Sequence, residues 1–216
     1  MIPRHSRHDF GLSRLEVLVV VAALCLLIAL ILPSLRSHGH NPASCVSNLK
    51  QTSLAALLWV QDRDQPFPWQ VPLTRTGTLE LISSPQVFRH FSVMSNELYS
   101  PKILICPLDK KRRAGADFMA FSNRNISYFV NLAAQFDTNG VPAPMFGDRN
   151  LTGGSLSNGF LRTLSSTNGL GWSKELHQHF GNIALADGSV SRVETQALHA
   201  LVRTSAVPLR LAIPAE

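Results

Sequence analysis

His177, His179, Asp187 and, further up the chain, Asp148 are the residues whose types could hold a divalent metal or move a proton. Imidazole and carboxylate are the donors such a site uses, and on a strand His177, His179 and Asp187 would share one face. Their spacing argues against a meeting. If residues 177–187 ran straight, His177 and Asp187 would stand roughly 33 Å apart, at about 3.3 Å per residue. Only a reversal near Gly181 would join them. The reading taken is therefore a His177 hydrogen-bonded to backbone that orients a hairpin, with a metal-dependent site as the rival. Asp148 and Arg149 read as an ion pair or a turn cap. No HExxH, Walker A, GxGxxG or serine nucleophile elbow occurs, so catalysis and a cofactor are not expected.

Cys25, Cys45 and Cys106 show no CxxC spacing, which excludes a zinc finger or a thioredoxin-type pair. Asp62-Arg63-Asp64 lacks the glycine and distal glutamate of a calcium loop and reads as a helix end. Lys110-Lys111-Arg112-Arg113 has no interleaved aromatics and reads as a solvated loop. A net charge of +6 spread over 216 residues pulls only weakly toward nucleic acid as a partner.

With 45% hydrophobic and 16% charged residues, the chain can build a core and is not a disordered polyelectrolyte. Leu15 to Leu35 holds Glu16 as its one acid; as a helix it would run roughly 31 Å, the thickness of a bilayer's hydrocarbon. Arg4, Arg7 and Arg14 precede it and Arg36 follows, which orients the N-terminus to the cytoplasm. Ile31–Leu35 offers no small-x-small cleavage site, so a retained segment is expected over a secretory signal. In that topology Cys25 is an apolar filler in the membrane, and Cys45 and Cys106 lie where disulfides persist. A Cys45–Cys106 bridge would contribute roughly 4 kcal/mol through chain entropy; two reduced buried thiols are the alternative.

Ser37–Pro42 is a breaker cluster. A helix is predicted over Ala43–Gln61, with Val46, Leu49, Ser53, Ala56, Leu57 and Val60 in one stripe. Lys102–Cys106 and Ile126–Leu132 read as strands, and Pro142–Gly159 as loop. Asp187-Gly188 is a two-residue turn joining Ile183–Ala186 to Ser189–Val193, with Leu185 opposite Val190 and Ile183 opposite Arg192. A helix over Thr195–Arg203 turns Ala197, Leu198, Leu201 and Val202 inward, and 204–216 is a loose tail.

Two stretches carry a family resemblance. Phe10-Gly11-Leu12-Ser13-Arg14-Leu15-Glu16-Val17 resembles the type IV prepilin processing segment shared by pilins and type II secretion pseudopilins, with Leu12 where Phe or Met is usual and Arg14 where an apolar residue is usual. His177 followed nine residues later by Asp187-Gly188 resembles the H-x9-DG tail of pseudopilin-like proteins, and residues 43–68 and 95–109 are similar to the same subfamily. The resemblance implies cleavage between Gly11 and Leu12 by a prepilin peptidase and N-methylation of Leu12. Glu16 would then meet that amine on a neighbouring subunit, and Pro33 would kink the stem.

The implied organisation is a leader (1–11), a transmembrane stem helix (12–36), a hinge (37–42), an extracytoplasmic head (43–203) and the tail. The fold expected is α+β and pilin-like, a long N-terminal helix, with a break allowed near 39–42, packed on an antiparallel sheet. Such a subunit would be a single-pass protein of the inner membrane, partnered by the bilayer, other pilin or pseudopilin subunits and an assembly platform. It would build a type II secretion or type IV pilus-like filament. An uncleaved anchored binding module is the alternative from another class.

Overall fold

The protein is described by a computed structural model over residues 14–31, 42–135, 142–157, 160–164, 166–204 and 209–215. It divides into two units, 1–39 and 40–216. In the first, α1 (Arg14–Ile31) is one 18-residue helix of valine, leucine, isoleucine and alanine with Glu16 in its first turn. Leu15, Leu18, Val19, Leu26 and Ile28 on it are exposed.

Among the described residues no helix is long and apolar enough to cross a membrane. This corrects the expected transmembrane stem, and with it the membrane-protein reading and the single-pass inner-membrane placement. The physical reason lies in the charges at the start of α1 and in its described length. It opens on Arg14 and Glu16, so its uncharged part runs only from Val17 to Ile31, about 22 Å at 1.5 Å per residue. The long pilin-like helix is corrected too. A second helix begins afresh at Pro42, a residue suited to a first turn because its missing N–H is not needed there.

The second unit is α+β. Helix α2 (Pro42–Arg63) is followed by 3-10 turns and two short helices, α3 (Phe88–Ser92) and α4 (Ser95–Leu98). Strands β1 (Tyr128–Asn131), β2 (Pro144–Asp148), β3 (Leu151–Thr152), β4 (Ser155–Ser157), β5 (Leu161–Leu164), β6 (Gly171–Trp172), β7 (Phe180–Leu185) and β8 (Val190–Glu194) come next. The described chain closes with α5 (Thr195–Thr204) and β9 (Leu209–Ala212). Among the described residues seven strands form one antiparallel sheet in the order β4-β5-β9-β1-β2-β7-β8, and β3 pairs with β6 beside it.

Side-chain alternation along the strands builds two cores. Tyr128 and Val130 of β1, Phe146 of β2 and Ala184 of β7 pack with Leu49, Ala56, Trp59 and Val60 of α2. Phe129, Ile183, Val193, Leu209 and Leu211 pack with Trp172 and with Leu198 of α5. Ala197, expected inward, is exposed.

Four other local expectations change. Lys102–Cys106 is not a strand: Pro101 starts a 3-10 turn through Leu104, and the Ser100 hydroxyl accepts the Lys102 N–H. Residues 144–148 form β2 where a loop was expected. Residues 209–212 form β9 between β5 and β1, not a loose tail. The basic run is not wholly solvated either, since Arg112 is buried and donates to the carbonyl of Pro214 at 2.7 Å.

His90 in α3 is a buried imidazole paired through Nδ1 with the Thr78 hydroxyl at 2.8 Å, and burial lowers its pKa to about 4. The unfolded chain takes up this proton near pH 6.5 and the folded one only near 4, so stability is lost as pH falls between those values. Wild type should be about 2–3 kcal/mol less stable at pH 4.5 than at 7 from this group. Urea unfolding of His90→Gln should show a shallower loss over that interval; an identical slope would refute the assignment.

Candidate functional site

The residues of chemical interest in the head converge where α2, the 3-10 turn after α4, β2 and β7 meet. Cys45 in the first turns of α2 and Cys106 just past the 3-10 turn are joined as a disulfide, with Cα atoms 4.7 Å apart. Asn48 of α2 donates to the Ile105 carbonyl at 2.8 Å and the Tyr128 hydroxyl reaches the Cys45 carbonyl at 3.5 Å, so both sides of the bridge are held.

His177 lies against this bridge, its Nε2 3.4 Å from Cys106 Sγ. The same nitrogen is 3.2 Å from Asp148 Oδ2 and 3.2 Å from Asn182 Nδ2. With its proton on Nε2 the imidazole donates to Asp148; with it on Nδ1, it accepts from Asn182. Asn182 also donates to Asp148 Oδ2 twice, from its backbone N–H at 2.6 Å and from Nδ2 at 2.9 Å. Phe180 stacks on the His177 ring at 4.9 Å, and the Arg192 guanidinium covers the Phe180 ring at 3.3 Å. His177 is thus held by side chains, which corrects the expected backbone bond. Its Nδ1 and Asp148 Oδ1 are buried without a hydrogen-bond partner.

Next to this cluster lies a buried ion pair. Arg149 grips Asp109 bidentately, Nε to Oδ2 at 2.7 Å and Nη2 to Oδ1 at 2.8 Å, and reaches Glu175 at 3.0 Å; Glu175 also pairs with Lys111. Asp109 further accepts from the Ser127 hydroxyl and the Lys111 N–H. Burial alone would raise the Asp109 pKa, but Arg149, Ser127 and the Lys111 N–H outweigh it and hold the carboxyl below its usual range. Burial opposes the Arg149 charge likewise, and Asp109 with Glu175 more than restores it. Burial, then the charges of Asp148 and Asp109, push the Tyr128 phenol well above its ordinary value, keeping it neutral. Asp148 and Arg149 do not pair with each other; each serves a different neighbour.

The Asp187-Gly188 turn forms the other end of the motif. The Gly188 N–H donates to the Leu185 carbonyl and the Leu185 N–H to the Ser189 carbonyl, both at 2.9 Å. The loop therefore has three residues, with Gly188 at φ +80 as its left-handed member. That extra residue shifts the register: Ala184 faces Val190, and Ile183 faces Ser191. Asp187 accepts the Ser189 N–H at 2.8 Å, and hydrogen bonds from the Ser189 side chain and then from that N–H hold its carboxyl below the usual range. Gly188 approaches α2 so closely that a Cβ would stand 2.9 Å from Leu57 Cδ1, while Lys50 Nζ donates to its carbonyl at 2.6 Å. His177 and Gly188 thus anchor the two ends of this hairpin segment on the cross-linked turn and on α2.

The joint His177–His179–Asp187 site does not form. Gln178 and His179 take positive φ of 50° and 72°, which turns the chain before Gly181 and sends His179 Nδ1 to the Trp172 carbonyl at 3.2 Å. Asp187 sits in the exposed turn and His177 in the core. Glu16 lies in the first turn of α1, and Cys25 on α1 is an exposed free thiol. Gly11, Leu12 and Pro33 lie outside the described residues. Asp148, which the metal-dependent rival set with His177, does meet it, whereas Asn182, five residues on with no shared motif, escapes sequence reasoning; Asp148 is the one acid of the otherwise apolar strand Pro144–Asp148 and stands at its end.

Comparison with protein-family models, with curated proteins and with solved structures finds no match to this chain.

Proposed function

We propose that the chain is a structural subunit that assembles with copies of itself through α1, matured by a prepilin peptidase acting between Gly11 and Leu12. The observation that carries this reading is the surface of α1. Leu15, Leu18, Val19, Leu26, Leu27 and Ile28 are exposed on a helix apolar around its circumference, and such a helix is normally buried. Side-by-side packing of α1 from several copies removes that surface from water at about 25 cal/mol per Å². The prepilin-like segment ahead of α1 supports the same assignment: maturation would leave Leu12 as the N-terminal amine, four residues before Glu16. The head would then be the part each copy displays.

Cys25, exposed near the middle of α1, provides the test. Full-length chain co-expressed with a prepilin peptidase should begin at N-methyl-Leu12 by mass spectrometry. Mild oxidation should then cross-link it through Cys25 into dimers. Leu18→Glu with Leu26→Glu should abolish the cross-link without altering the folding of the head. An unprocessed Met1 end together with a Cys25 that never cross-links would refute the reading.

A further inference from the structure

Three metal-binding donors meet in the core of the head. Cys45 Sγ, Cys106 Sγ and a ring nitrogen of His177 lie within 4.8 Å of one another, all buried. The Nε2 of His177 is 3.4 Å from Cys106 Sγ and 3.2 Å from Asp148 Oδ2. Around a tetrahedral zinc ion, neighbouring sulfur, nitrogen and oxygen ligands stand roughly 3.3–3.8 Å apart. Two of the six ligand–ligand edges are therefore already close to these lengths, and a third, Cys45 to Cys106, is closed by the disulfide. A carboxylate oxygen beside it is also unspent. Asp148 Oδ1 is buried without a partner, which is costly for a core that needs to enclose only a neutral disulfide. A cation among these groups would give the carboxylate a counter-charge.

We infer that the reduced form of this cluster is a buried binding site for a thiolate-seeking divalent cation of the zinc class. Cys45 and Cys106 would bind as thiolates, His177 through Nε2, and Asp148 would complete the tetrahedron. Reduction breaks the S–S bond with two electrons and two hydrogens from an external dithiol, which leaves as its own disulfide. The cation then displaces the two thiol protons to solvent. Two thiolates and an imidazole select zinc-like ions over calcium or magnesium, which prefer all-oxygen shells. Four protein ligands leave no open position, so the site is a clamp and not a catalyst. It holds α2 to the turn ending at Cys106 where the surroundings are reducing, as the disulfide holds it where they are oxidising. The inference does not depend on assembly through α1.

Cobalt(II) serves as the probe, titrated into the full chain in three forms: oxidised, reduced with a phosphine, and reduced His177→Gln. The reduced wild type should bind one cobalt per chain, with thiolate-to-cobalt charge transfer and the visible bands of a tetrahedral ion. The oxidised chain should show neither, and His177→Gln should bind at least ~10-fold more weakly. If reduction alone loosens the head, one equivalent of zinc should restore its near-UV circular dichroism. A reduced chain that stays folded without binding cobalt would overturn the site, as would one that stays loose in excess zinc. Equal binding by His177→Gln, the mark of two thiols acting alone, would overturn it as well.

Discussion

Arg149→Ala is expected to destabilise the head by about 3–5 kcal/mol, the cost of leaving one partner of a buried ion pair behind. The side chains of Arg149 and Asp109 are 8% and 1% exposed, and two parallel hydrogen bonds of 2.7 and 2.8 Å join them. Removing the guanidinium takes away both of its bonds to Asp109, while the Ser127 hydroxyl and the Lys111 N–H still donate to the carboxylate. Near pH 7 the melting temperature should fall by roughly 6–20 °C for a domain of this size. The carboxylate is the source of the penalty, so Arg149→Met combined with Asp109→Leu should recover most of the loss. The pair also carries an acid dependence. Arg149 holds the Asp109 pKa below its ordinary 3.8, so its contribution is complete above that value and disappears as pH falls beneath it. Thermal unfolding of the three proteins at pH 7 and pH 3 checks both statements; a loss under about 1 kcal/mol in the single variant at pH 7 would show that the pair is solvated.

Removing the Cys45–Cys106 bridge is the second large effect. The loop it closes spans a sequence separation of 61, for which the chain-entropy account predicts roughly 4 kcal/mol. Both cysteines are fully buried, so the cost comes on top of any repacking around α2. Cys45→Ala with Cys106→Ala should therefore melt roughly 8–16 °C lower than the oxidised wild type. The wild type reduced in the presence of a chelator should approach the same value. A variant as stable as the oxidised protein would mean that Asn48 and the Tyr128 contact already hold α2 without the bridge.

Much of the local structure was legible in the residues. The α2 stripe follows from helical spacing, and Leu49, Ser53, Ala56 and Val60 are indeed buried. Strand β1 and the β7–β8 hairpin follow from apolar runs flanking a turn. In β9, Leu209-Arg210-Leu211 alternates as a strand should, with only Arg210 exposed, but the prolines at 208 and 214 read more strongly as loop. At the hairpin the turn dipeptide was clear, yet its loop length was not, because a left-handed Gly188 serves a three-residue loop as well as a two-residue one.

The sequence by itself determined α2, β1, the β7–β8 hairpin and α5, whose patterns depend on neighbours a few positions away, but not β2, β9 or the 3-10 turn before Cys106. It also offered Cys45 and Cys106 as partners, with reduced thiols as the alternative, and the structure joins them. Only the tertiary structure decided what His177 meets. Asp148 and Cys106 reach it from β2 and from the turn before Asp109, and Cys106 is 71 residues away. Contacts of that separation depend on the strand order that places β2 beside β7, and on α2 laid across them, which no local pattern encodes.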